Sequence, residues 1–308
     1  MIIYKYLDEK GGLATIKNNS VLLNIPLKYN DPFDCEGNVS DEESSRSFEL
    51  FLNYQLFKGM YDYFVRHDLK AKRFKSLAET FKKYLPVAGS EIKKTKKYIL
   101  QAYLKPCRPL ICKHLGKTMP VLKKEFKQVM KDSFSKLRKR VVISCFGSSF
   151  DSILMWSHYA NMHKGVCIEF EIEDKDFKTV EYSKQMPDFR LHDTLEILFG
   201  HEFVGEEIDF NNEEYDFMNK PLLTKSEDWI YEGEIRCVYS IKKLDPKIKK
   251  VGKKWKKKLL LEMPPIKAVY VGCNATDAFT NKIKRMTDAP TYKMKKKDGE
   301  YGLTPEKI

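Results

Sequence analysis

A chain of 308 residues with 42% apolar and 13% aromatic side chains holds enough Phe, Tyr, Leu and Ile to bury a core, which excludes wholesale disorder. Its 56 Lys and Arg against 43 Asp and Glu give a formal net charge of +13. No stretch approaches the ~20 apolar residues that span a bilayer, and Met1-Ile2-Ile3-Tyr4-Lys5-Tyr6 is too short an apolar run for a signal peptide, so a cytoplasmic protein without membrane contact is expected.

Ile2 to Tyr6 alternates like a short strand, and Gly11-Gly12 leads into a brief helical turn from Leu13 to Lys17. Ser20 to Pro26 reads as a second strand, followed by the turn-forming Asn30-Asp31-Pro32-Phe33-Asp34. From about Ser44 to Arg140 the pattern changes: Phe48, Phe51, Leu52 and Leu56, then Val121, Leu122, Phe126 and Val129, recur at helical spacing. Pro86, Pro106, Pro109 and Pro120 divide this stretch into about four helices.

Strand signals return at Val141 to Phe146, at Gly165 to Phe170, at Ile235 to Ile241 and at Lys267 to Gly272. Ser149 to Tyr159 reads as a short helix capped by Ser149 or Asp151, and acidic, largely helical sequence runs to Leu223. The expected organisation is α+β: a core from residues 1–43 and 141–291, a basic helical insertion at 44–140, and a flexible tail at 292–308.

Charge is segregated along the chain. Lys58 to Arg140 carries 24 Lys or Arg against 6 Asp or Glu, whereas Val166 to Ser240 carries 7 basic residues against 20 acidic ones. A second run, Lys242 to Lys258, holds 10 lysines. Such segments attract phosphate backbones through counterion release, which makes RNA or DNA an expected partner of 58–140 and 242–258; solvated lysine faces balanced by the acidic segment explain the same pattern.

Seven cysteines form no CxxC pair, and several lie in apolar strand-like runs, so reduced structural thiols are expected. Cys107, Cys112 and His114 come nearest to a ligand cluster but lack a fourth member and paired spacing, and no metal is expected.

Four polar motifs interrupt the apolar pattern: Tyr4-Lys5-Tyr6; Asn30-Asp31-Pro32-Phe33-Asp34; Met155-Trp156-Ser157-His158-Tyr159-Ala160 running on to His163-Lys164-Gly165-Val166; and Trp229-Ile230-Tyr231-Glu232-Gly233-Glu234-Ile235-Arg236. Taken singly, a Trp and a Tyr three apart usually make core, and an NDPF sequence is commonly only a turn. In the last motif, strand alternation would send Glu232, Glu234 and Arg236 to one face, where like charge raises one carboxyl pKa and the adjacent guanidinium lowers the other. The plain alternative is a surface Glu–Arg ladder of little energetic weight.

The ordered set, with Ser144-Cys145-Phe146 and His163 to Phe170, resembles an uncharacterised family of bacteria and their phages that is grouped with the ADP-ribosyltransferase fold, over roughly Tyr4 to Phe33 and Val141 to Tyr239. That resemblance implies a split β-sheet core, NAD as substrate, and a toxin or anti-phage effector that modifies RNA or a nucleic-acid-associated protein, with an antitoxin as a further expected partner. It also implies that Glu234 steadies the oxocarbenium-like ribosyl cation, that Glu232 orients the acceptor, and that Arg236 completes the catalytic set. Tyr4, Lys5, Tyr6, Asn30, Asp31, Phe33, Ser144, Trp156, His158 and Tyr159 are the implied cofactor-binding residues, Lys5 standing where the fold usually has Arg or His, and Trp156 or Tyr159 stacking on nicotinamide. An NAD glycohydrolase, a non-catalytic sensor of a nucleotide or phage component, and a metal-dependent nuclease built on Asp31, Asp34, Glu169 and Glu171 are the competing readings.

Overall fold

A computed structural model describes residues 1–66, 109, 112–113, 115–173, 176–190, 192–193, 220–241, 245–252 and 258–308. Residues 242–244 and 253–257 of the lysine run, much of the basic segment, most of the acidic stretch before residue 220, and Cys107 and His114 lie outside the described residues. The fold is α+β, divided into one unit of residues 1–36, 136–186 and 221–308 and a second of residues 37–135 and 187–220. No described helix is long and apolar enough to cross a membrane.

In the first unit, an eight-stranded mixed sheet is built from β1 (Ile2–Leu7), β3 (Val141–Gly147), β4 (Val166–Glu171), β5 (Phe177–Thr179), β8 (Glu234–Ser240), β11 (Ile266–Val271), β12 (Thr291–Lys296) and β13 (Leu303–Lys307). Their order is β13-β12-β11-β4-β1-β3-β8-β5, with β11 and β12 parallel. The central strands are buried on both faces, which is why β3 and β4 read as nearly continuous apolar runs.

One face is covered by a small sheet of β2 (Ser20–Leu23), β10 (Lys258–Glu262) and β9 (Ile248–Val251), with helices α1 (Glu9–Asn18) and α5 (Asp277–Met286) beside it. Ile3, Val21, Ile168, Phe170, Leu261, Val269 and Ile283 form that core. Against the other face lies α4 (Ile153–Tyr159), whose Trp156 packs with Tyr6, Cys167 and Tyr270. Gly165 lets the backbones of β4 and β1 meet, because a Cβ there would stand 2.0 Å from the Leu7 carbonyl oxygen. The short strands β6 (Glu181–Ser183) and β7 (Thr224–Ser226) pair in parallel.

In the second unit, α2 (Asp41–Arg66) and α3 (Met119–Arg138) pack through Phe48, Leu52 and Phe126, with the Phe48 and Phe126 rings edge to face at 5.4 Å. Lys127 donates to Asp41 at 2.6 Å.

Three sequence expectations change. The residues after Thr291, expected to be loose, form β12 and β13, which place Met294 and Leu303 in the core while Lys295, Lys296 and Lys307 stay exposed. The helix cap is Ser152, which accepts from Met155 N, rather than Ser149 or Asp151. The turn after Gly12 is part of a ten-residue helix opened by Asp8, which accepts from Gly11 N.

Candidate functional site

The large sheet is nearly two sheets. β1 pairs with β4 over six residues and β3 with β8 over seven, but among the described residues β1 and β3 share one register pair, Tyr4 opposite Gly147. Beyond it they diverge, and Asn24 takes part of the freed edge of β3 through two backbone bonds with Ile143, of 2.8 and 2.9 Å. A cleft of about 410 Å³ opens at this split. Lys5 bridges the gap: its Nζ donates to the Cys145 carbonyl at 2.6 Å and to Ser144 Oγ at 3.0 Å. Cys145 O is a backbone acceptor that a neighbouring strand would otherwise pair.

Beside the split lies a compact ionic cluster. On β8, Glu234 and Arg236 share a face, and Arg236 is fully buried with all five N–H groups used. Nε donates to Glu234 Oε1 at 2.8 Å and Nη2 to Glu234 Oε2 at 2.9 Å. The rest go to the Leu222 carbonyl at 2.8 Å, Asp34 at 2.9 Å and Cys35 Sγ at 3.2 Å.

Lys225, on β7, adds a second cation. It donates to Glu232 Oε2 and, at 3.2 Å, to Glu234 Oε2, lies 3.8 Å from Asp34, and sits over the Trp229 ring at 4.7 Å. The Tyr159 hydroxyl donates to Glu232 Oε1 at 2.6 Å, and the Glu234 N–H donates to the Tyr182 hydroxyl at 2.7 Å. Asp34, Lys225, Glu232 and Glu234 are all buried.

The two glutamates differ in proton affinity. Burial raises both, but at Glu234 the charges and hydrogen bonds of Arg236 and the charge of Lys225 outweigh it and hold the carboxyl at about 2. At Glu232 burial wins over Lys225 and the Tyr159 hydrogen bond, and the pKa is raised. Two lysines in the cleft are opposed in the same way. Burial lowers Lys5, whereas at Lys225 the pull of Glu234 and Glu232 overcomes burial and raises the ammonium. The site holds one carboxyl shifted down, one shifted up and one lysine clamped between them.

Of the sequence-predicted site residues, Tyr4, Lys5, Tyr6, Asn30, Ser144, His158, Tyr159, Glu232 and Glu234 line the cleft. Four do not. Trp156 is fully buried, its indole N–H donating to the Phe150 carbonyl at 2.7 Å and its ring edge-on to Tyr6, so it cannot cover a ligand ring. Asp31 accepts from Phe33 N within its own turn, and Phe33 is exposed outside the cleft. Arg236 lies behind Glu234 and fixes it in place without reaching the cleft.

The strand reading of Glu232-Gly233-Glu234 is also corrected. Glu232 ends a 3-10 helix, Glu227–Glu232, and Gly233 turns the chain with φ 49°, so Lys225 rather than strand alternation gathers the carboxylates. The four acids of the nuclease reading are dispersed. Asp34 pairs with Arg236, Glu169 accepts from the Tyr270 hydroxyl at 2.7 Å, and Glu171 pairs with Lys267 at the surface. Among the described residues no group of three or more His, Cys, Asp or Glu could hold a metal ion.

The sequence reading missed Lys225 and Tyr182, and gave Asp34 no part in this cluster. Charge balance was the available signal. Two buried carboxylates beside one Arg call for a second cation, and Lys225 is one of few basic residues in the acidic stretch.

No curated protein and no solved structure matches the chain. Residues 155–237, which carry Tyr159, Lys225, Glu232, Glu234 and Arg236, match a family profile described as Protein of unknown function (DUF2971).

Proposed function

We propose that the cleft performs glycosyl transfer from NAD, as an ADP-ribosyltransferase-like enzyme with a split-sheet core. The observation that carries this is the opposed pair of carboxyls: Glu234 held ionised at about 2 and Glu232 raised by burial, both bound to Lys225. Breaking a ribosyl–nitrogen bond sends the electron pair to the departing nicotinamide and leaves positive charge on the sugar, which a preorganised carboxylate in a partly dry cleft stabilises. Glu232, accepting from Tyr159, then takes the proton of the attacking hydroxyl. Tyr4, Asn30 and His158 offer polar and aromatic edges along the wall.

The acceptor in this reading is RNA or a nucleic-acid-associated protein recruited by the basic segment, as for a toxin or anti-phage effector. With water as acceptor the same chemistry is that of an NAD glycohydrolase. Incubating the protein with NAD labelled in the adenine moiety, with and without total RNA or lysate, tests it: label transfer or ADP-ribose release is expected and should vanish in Glu234→Gln. Unchanged turnover in that variant overturns the assignment.

A sensing module that binds a nucleotide without cleaving it is favoured by one observation: both Glu234 oxygens are already occupied by Arg236 and Lys225. Saturable NAD binding with no nicotinamide release over a long incubation would select that reading.

A further inference from the structure

The cleft contains two lysines in opposite situations. Lys225 is surrounded by Glu232, Glu234 and Asp34, so its ammonium is compensated. Lys5 has no carboxylate at ion-pair distance among the described residues. Its Nζ touches two neutral acceptors, the Cys145 carbonyl and Ser144 Oγ, and stands 5.0 Å from the centre of the Phe146 ring. A neutral amine has two N–H bonds, and these two acceptors account for both, leaving the nitrogen lone pair as its remaining function. The neighbouring thiols add no negative charge that would hold a proton on Lys5, since burial raises both Cys145 and Cys237.

We propose that Lys5 is a carbonyl-reactive amine, which adds to the aldehyde of an open-chain sugar in the cleft and forms an imine. The lone pair of Nζ attacks the aldehyde carbon, and the carbonyl π electrons move to oxygen, giving a carbinolamine after proton transfer from nitrogen to oxygen. The carbinolamine then expels its oxygen as water, taking one proton from solvent and returning one from nitrogen, so that aldehyde and amine yield imine and water with no oxidant or reductant. Burial lowers the proton affinity of Lys5 against the opposing charge of Glu234 across the cleft, and this favours the free base that the step needs. The choice of a sugar aldehyde rests on the ribosyl reading of the cleft, because cleavage at the anomeric carbon produces a sugar that opens to an aldehyde. The reactivity of the amine does not rest on it.

The test is reductive trapping on the intact protein at pH 7.5. Glyceraldehyde, and separately ADP-ribose, is supplied with sodium cyanoborohydride, and peptide mass spectrometry follows the secondary-amine adduct at each lysine with time. Lys225 in the same cleft is the internal control for a clamped ammonium, and Lys28 on the cleft wall is the control for a solvent-exposed lysine. Lys5 is expected to label at least about tenfold faster than either, because its lowered proton affinity leaves more free base, and Lys5→Arg should lose that adduct. Trapping by glyceraldehyde alone supports the amine and counts against the ribosyl reading. Labelling of Lys5 no faster than of Lys28 with both reagents overturns the proposal, whether or not NAD is turned over.

Discussion

Arg236 grips Glu234 side-on, Nε to Oε1 at 2.8 Å and Nη2 to Oε2 at 2.9 Å, from two residues further along the same face of β8. The guanidinium also binds Asp34 and the Leu222 carbonyl, so a single side chain ties β8 to the segment after β2 and to the residues just before β7. Replacing it by Met leaves buried carboxylates without their main partner. Urea unfolding of Arg236→Met should show a loss of about 3–5 kcal/mol, the usual cost of breaking a buried pair. Arg236→Lys should recover only part of it, since an ammonium cannot form the parallel pair of bonds.

Acid stability should carry the signature of Glu234. Its folded pKa, about 2, lies below the ordinary 4.5. A depressed carboxyl contributes stability that is complete above its unfolded pKa and is lost as pH falls through the folded one. Urea midpoints measured from pH 5 to pH 2 should therefore fall more steeply in the wild type than in Glu234→Gln. Equal slopes would mean that the carboxylate is not held ionised.

Tyr159→Phe separates the two glutamates. The hydroxyl lost in that variant binds the charged form of Glu232 and opposes the upward push of burial. Without it the Glu232 pKa rises further, and the acid limb of the pH profile for nicotinamide release should move to higher pH, with the limiting rate at high pH reduced only modestly. An unmoved acid limb would remove Glu232 from the proton transfer.

Gly233→Ala tests the turn that separates the two carboxyls. The residue adopts φ 49°, and an added Cβ would lie 2.2 Å from Ser148 Oγ. The left-handed conformation alone costs a non-glycine residue about 1–2 kcal/mol. Thermal melting should show a clear drop, and nicotinamide release should fall with it, because the turn sets Glu232 beside Lys225. Pairing the change with Ser148→Gly should relieve the contact but not the conformational cost.

Among the strands, those buried on both faces were legible from composition alone. β3, β4 and β11 are apolar almost throughout, and β8 starts where the acidic pair ends, so local composition was enough to place them to within a residue or two. β12 and β13 were missed because Lys293, Lys295 and Lys296, with Thr304, Pro305 and Glu306, dominate their composition. Only Met294 and Leu303 disclose the buried face, and two apolar residues do not make a period. Trp156 was misassigned for a related reason. An aromatic motif beside His158 and Tyr159 shows that rings cluster, but not which ring is turned into the core.

By itself the sequence determined the kinds of residue available: an α+β core, a segregated basic stretch, and a pair of glutamates followed by an arginine. Tertiary structure alone decided which of these groups share a charge balance, because Asp34, Tyr159, Lys225 and Arg236 come from separate segments and interact only once the strands are paired. The cleft depends on a non-local event, the parting of β1 from β3 after one residue pair, and that same parting frees Cys145 O to meet Lys5. Proton affinities depend on burial and on distances of a few ångströms, so the opposed states of Glu232 and Glu234, and of Lys5 and Lys225, belong to the fold rather than to the order of residues.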